Sequence, residues 1–203
     1  MDPKCEEDRR LAILIARRLL QQRPIFLDTE TTGLGNQDEI VDIAVVGAEG
    51  EELLNSLVKP GRPIPADATA VHGIGDQDVA GAPRFDVVWD GQLRELLTGA
   101  RLRFTQPVCI YNADFDARMI RQSLRQYGRD PNGLKPPYCL MELYAQFYGA
   151  WSEYHWSYTW QSLGNAAMQC HLPLPADMHR ALADALLARQ VLHYMAAQQV
   201  EDV

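Results

Sequence analysis

Three β-rich runs follow one another near the start of the chain before any helix separates one strand from the next, and this order limits the fold more than any other feature. "PIFLDTETTGLG" holds the first, and "DEIVDIAVVGAEGEELLNSLVKPG" holds two more that turn back on each other at "GAEGEE". Short runs of branched residues bounded by glycine-containing turns read as strands, and a short polar link between them as a hairpin. After a Pro-rich connection carrying "VHGIGD", the pattern changes. "RFDVVWDGQLRELLTG" has helical periodicity ending at Gly99, "QPVCIYNA" is strand-like, and a helix is expected over residues 114 to 127. "PPYCLMELYAQFYG" reads as a short strand running into a helix, with "WQSLGNAAMQC" and "HRALADALLARQVLHYMAAQQ" as later helices. Strands first and alternation afterwards predict a mixed α/β sheet, an antiparallel meander followed by parallel strands, flanked by helices.

The 203 residues contain no internal repeat or low-complexity stretch, so a single domain over 1–203 is expected. Residues 1–23 form its leading amphipathic helix, with acids early and arginines late, as the helix dipole favours. The apolar run Leu11 to Ala16 is too short to span a bilayer, which argues against membrane insertion. Four scattered cysteines, with no C-x-x-C, fit reduced thiols in a cytoplasm. The net charge of -8 excludes a protein that grips long duplexes by neutralising many phosphates, but leaves a small anionic target open.

Within "FLDTETT", side chains alternate between the faces of a strand, so Asp28 and Glu30 share one side, about 7 Å apart. Two acids left together are costly unless a cation sits between them, and hard oxygen donors suit magnesium or manganese. The helix at 114–127 sorts two more acids. At about 100° per residue, Asp114 falls with Arg118, Arg121 and Arg125 on a charged face, where it can pair with Arg118. Asp116 falls among Phe115, Met119, Ile120, Leu124 and Tyr127, the stripe that packs on the sheet. A buried ionised carboxylate costs several kcal/mol unless paired or bound to metal, so Asp116 is the functional candidate. In the last helix Asp184 aligns with Ala188, Val191 and Met195, a fourth inward acid. His179, five residues earlier, is off that face and suits proton transfer better than metal ligation.

Two families match parts of this pattern. A strand followed by D-x-D-x-T resembles haloacid dehalogenase-type phosphatases, but the second acid here is glutamate and no later lysine stands in that family's spacing. "FLDTETTGL", "YNADFDARM" and "HRALADA" resemble, in order and separation, the DEDDh (DnaQ-like) 3′-to-5′ exonuclease family over residues 24 to 197. That resemblance implies a ribonuclease H-like fold with a five-stranded mixed β-sheet and two divalent ions, Mg2+ or Mn2+. It assigns Asp28, Glu30, Asp116 and Asp184 as metal ligands and His179 as general base. It also places Thr31, Leu34, His72 and Asn112 near the terminal nucleotide. Tyr111 stands where the family often has histidine, and Asp42 in "IVDIA" is read as structural support.

The resemblance further implies release of nucleoside 5′-monophosphates from a free 3′ end. Single-stranded DNA is the expected substrate and a DNA polymerase a possible partner. An exoribonuclease of the same fold, or a catalytically silent binding module, are the alternatives. Two features stay open. Seven arginines against three acids between Arg94 and Arg129 read as a solvated face or as phosphate contacts. "YGAWSEYHWSYTW" reads either as a base-stacking platform or as a segment packed on the core through Trp156 and Trp160.

Overall fold

The computed structural model describes residues 3–99 and 106–200. One sheet contains β1 (Ile25–Thr31), β2 (Ile40–Val46), β3 (Glu52–Leu57), β4 (Val108–Ile110) and β5 (Tyr138–Cys139), in the order β3-β2-β1-β4-β5. The β1–β2 and β2–β3 pairs are antiparallel, and β4 lies parallel to both β1 and β5. The meander and the parallel half therefore meet at β1, which carries the first acid pair. The expected hairpin closes with the Gly47 N–H donating to the Glu51 carbonyl at 2.8 Å.

Eight helices surround this sheet among the described residues: α1 (Pro3–Gln21), α2 (Ala66–His72), α3 (Phe85–Val88), α4 (Arg94–Thr98), α5 (Ala113–Gln126), α6 (Leu140–Tyr148), α7 (Leu163–Gln169) and α8 (Ala181–Ala197). Alternation along the strands divides the core. Phe26, Val46 and Cys109 pack with residues of α1, α6, α7 and α8 on one face. Ile25, Leu27, Val45 and Val108 pack with α3, α4 and α5 on the other. All seven residues of β2 are buried, as expected of a strand covered on both sides. The leading helix docks as the sequence indicates: Arg17 donates to the Ala196 carbonyl at 3.0 Å and the Gln198 carbonyl at 2.7 Å. These bonds satisfy carbonyls that the end of α8 would otherwise leave open.

Four differences from the sequence reading have physical causes. The Pro-rich connection contains α2, whose seven residues are too few to show a helical period. The periodic run ending at Gly99 is interrupted by a π-helical turn, Trp89–Leu93, before it stops at that glycine with φ 61°. The aromatic segment is a second, two-stranded sheet: β6 (Trp151–Ser152) pairs with β7 (Ser157–Tyr158). Trp156 and Trp160 are therefore not one helical turn apart, and they are 79% and 64% exposed, so packing on the core is overturned for both. Asp114 is exposed as expected, but Arg118 reaches back to the Leu34 carbonyl at 3.2 Å. Of the seven arginines, Arg101 and Arg103 lie outside the described residues.

Candidate active site

The acids come from both helical layers and meet at one end of β1. Asp28 and Glu30 share the parity of Phe26 and face the layer that holds α8. Thr29, between them, faces the opposite layer, where its hydroxyl donates to Asp116 Oδ1 at 2.7 Å. Asp116 occupies the first turn of α5 and is buried, as its place on the apolar stripe indicates. Asp184 occupies the first turn of α8 and is also buried. A donor atom each of Glu30, Asp184 and His179 lies within 4.8 Å of the other two. His179 Nδ1 is 3.9 Å from Asp184 Oδ2, and its side chain is 53% exposed.

Electrostatics show how tightly these groups are held. Burial raises Asp28 well above the ordinary carboxyl range, and the charges of Asp116, Asp184, Glu30 and Asp42 raise it further. Glu30 is pushed up to about 8, first by burial and then by Asp184, Asp42 and Asp116, against the opposing pull of Arg180. Burial lifts Asp116 to about 7 although the Thr29 hydroxyl favours its charged form. Asp184 is raised by burial and partly relieved by His179. The buried Asp184 Oδ1 has no hydrogen-bond partner among the described residues. Crowded carboxylates with an orphaned oxygen, all hard donors, fit a bound divalent cation.

The supporting residues are equally specific. Asp42 lies opposite Glu30 in the β1–β2 register. Its Oδ2 accepts from Arg180 Nε at 2.9 Å and from the Ala181 N–H at 3.4 Å, which fixes the start of α8 and thereby Asp184. This agrees with the structural role read for Asp42. His179 and Asn112 both have left-handed backbones, φ 64° and 60°, a region in which His and Asn are enriched. Each stands at the entrance to a helix that carries a site acid. Tyr111, beside Asn112, sends its hydroxyl to the Gln161 carbonyl at 2.9 Å.

The four residues assigned to the substrate surround this end of the sheet differently. Leu34 is exposed and Asn112 is exposed, whereas Thr31 is buried and donates to the Gly33 carbonyl at 2.8 Å. His72 is buried, its Nδ1 accepting from the Ile74 N–H at 3.1 Å, and burial holds its pKa down against the pull of the Thr31 backbone. The loop bearing Leu34 is tied to α5. Arg118 bonds the Leu34 carbonyl, Gln122 the carbonyls of Gly35 and Asp38, and Gln126 that of Gln37. The contacts of Thr29 and Arg180 are not read in the sequence, and Arg118 is read there only as a partner for Asp114. Thr29 had a signal, since it is enclosed by two acids, but the other two act through contacts more than 80 residues distant.

The family model for exonucleases, RNase_T, matches residues 25–192. The chain belongs to the exonuclease family. Among relatives of this exonuclease-family chain is the uncharacterised exonuclease CP81 of Escherichia phage 186, 38% identical over 186 residues, covering 89% of this chain and 92% of that one. The DNA polymerase III subunit epsilon of Pasteurella multocida is 38% identical over 104 residues, covering 46% of this chain and 38% of the relative. In fold, the chain is similar to a zinc-bound complex of Escherichia coli exonuclease I with single-stranded DNA. That similarity has a TM-score of 0.66 at 18% identity, covering 83% of this chain and 39% of the other. The ribonuclease H-like fold and the DnaQ-like nuclease class read from the sequence are thereby established, and the phosphatase reading falls. Exonucleases of this kind depend on divalent metal.

The raised carboxyl groups make an observable prediction for metal-free protein. A carboxyl with a raised pKa binds its proton more tightly in the folded chain than in the unfolded one, so stability falls as the proton is lost. Stability should therefore decline from about pH 5 through about 8, the Glu30 value, with Tm falling by about 5 °C. Mg2+ or Mn2+ should restore it. Thermal unfolding at both pH values, with chelator and with metal, checks this; a metal-free Tm that rises over the interval contradicts it.

Proposed function

We propose that the chain is a 3′-to-5′ exonuclease that removes nucleoside 5′-monophosphates from single-stranded or frayed DNA. The observation that carries this reading is the meeting of Asp28, Glu30, Asp116 and Asp184 at one strand end, with half-exposed His179 beside them. Those four carboxylates would hold two divalent ions, Mg2+ or Mn2+. When bound, such ions polarise the scissile phosphate and make a water acidic enough to attack near neutral pH.

The protein's own groups complete the reaction. His179 takes the proton of the attacking water at the edge of the site and gives it up to solvent, which its exposure permits. Its Nδ1 lies 3.9 Å from Asp184 Oδ2, at the rim of the carboxylate cluster. Thr29 holds the Asp116 carboxylate in one orientation. Leu34, Asn112 and Thr31 border the terminal nucleotide, and His72 supports Thr31 from its buried side. The net charge of -8 suits this local grip on one chain end. We infer further that residues 1–203 act as one unit, that unbonded cysteines suit a reducing cytoplasm, and that a DNA polymerase is a partner, as the epsilon relative suggests.

The test is digestion of oligonucleotides labelled at either end: single-stranded DNA, RNA and mismatched primer-templates, with Mg2+ or Mn2+. A 5′ label should remain on a ladder of shortening products while a 3′ label is released as mononucleotide, fastest on single-stranded DNA, and chelator should abolish both. Release that begins at the 5′ end, or that persists without divalent metal, would refute the proposal. Faster loss of RNA would replace DNA as the substrate.

A further inference from the structure

The hairpin of β6 and β7 uses Trp151 and Tyr158 to hold itself in place and leaves other aromatic rings largely exposed. Trp151 meets Tyr158 edge to face at a ring separation of 5.1 Å. The Tyr158 hydroxyl donates to Asp8 on α1 at 2.7 Å, and the Thr159 N–H donates to the Ala150 carbonyl at 2.8 Å. The first and last of these close the hairpin on itself, and the bond to Asp8 ties it to the leading helix. Tyr154 meets its neighbour His155 edge to face at 4.8 Å, and Tyr154, Trp156 and Trp160 are 88%, 79% and 64% exposed. Trp156 also has a left-handed backbone, φ 52°, an unfavourable state for a bulky residue, in the turn that projects its ring.

Two further observations indicate what these rings face. Residues 154 to 176 contain no Asp or Glu, in a chain with 27 such residues. Glu153, exposed beside Tyr154, is the one acid of residues 151–160, so a phosphate backbone passing along the hairpin meets least local repulsion at Trp156 and Trp160. The hairpin is also joined to the site: the residue after Trp160 is Gln161, whose carbonyl receives the Tyr111 hydroxyl, and Tyr111 precedes Asn112 at the entrance to α5. The exposed rings alternate with Ser157, Thr159 and His155 and do not merge into one aliphatic surface, which a protein partner would need to bury. Separate flat rings beside polar groups suit successive unpaired bases, since every base has a face that can stack.

We propose that Tyr154, Trp156 and Trp160 form a stacking surface for unpaired bases of the strand whose 3′ end occupies the active site. This rests on the exonuclease reading above. The surface holds nucleotides upstream of the one being removed, so the enzyme favours longer single strands over very short ones, whatever the base sequence.

The experiment compares kcat/KM for (dT)12 and (dT)3, and for the matching oligouridylates, in wild type and in the Trp156→Ala/Trp160→Ala double variant. The wild type should prefer the longer strand, and the double variant should lose at least about 5-fold of that preference, as removal of stacked rings does elsewhere. Trp156→Phe/Trp160→Phe should retain most of it, and Val87→Ala, exposed on the other helical layer, should retain all. An unchanged length preference in the double alanine variant overturns the proposal. Anisotropy of 5′-fluorescein (dT)12 in chelator separates the two readings. If wild type shortens no oligonucleotide, the exonuclease reading fails, while equal binding by wild type and the double alanine variant refutes the stacking surface alone.

Discussion

Replacing Asp116 with asparagine is expected to lower nuclease activity at least about 100-fold while making the metal-free protein more stable by about 2–4 °C in Tm. The opposite signs follow from one cause. Asp116 is buried on the apolar side of α5, and burial alone lifts its pKa to about 7. Removing that charge relieves Asp28 and Glu30 as well, because each is raised in part by Asp116. A group retained for packing would not combine lost function with gained stability. Asp114→Asn, two residues away and exposed, should alter activity by less than about two-fold, because surface substitutions away from specific contacts have small effects. Steady-state assays and thermal unfolding in chelator check both variants; activity retained by Asp116→Asn would remove it from the site.

His179→Ala is expected to reduce kcat by about 10²–10⁴-fold with metal affinity, measured by calorimetry, nearly unchanged. His179 stands before α8 on a left-handed backbone, half-exposed, with Nδ1 3.9 Å from Asp184 Oδ2. Such a group exchanges protons with solvent readily. The same geometry brings its ring within 4.8 Å of Glu30 and Asp184 donor atoms, so ligation is the competing role. Calorimetry separates them, since a lost ligand lowers affinity and a lost base does not. A steep fall in metal binding would make His179 a ligand and refute its part in the proposed mechanism.

Periodicity carried most of the framework. The turn at "GAEGEE", the strand parity of Asp28 and Glu30, and the two helical stripes holding Asp116 and Asp184 are local patterns, and each is present as read. What could not be read depends on segments distant in sequence or too short to show a period. The Asp42 to Arg180 bond spans 138 residues, and no spacing rule connects them. The β6–β7 hairpin has two residues per strand, so its alternation is invisible, and the packing of Trp156 and Trp160 on the core, one of two readings of this segment, does not occur. The pairing of Asp114 with Arg118, likewise a helix rule, lost to the carbonyls of the Leu34 loop, which that rule does not include.

The contacts of α5 have a mechanical consequence. Its first turn holds Asp116, while Arg118, Gln122 and Gln126, further along the same helix, grip the loop from Leu34 to Asp38. In the proposed site, the acid Asp116 and the loop bearing Leu34 are thus mounted on one beam. A helix bends little over 14 residues, so the spacing between acid and loop is set by a stiff part, like the jaws of a gauge fixed to one rule. A displacement of the beam therefore moves both jaws together.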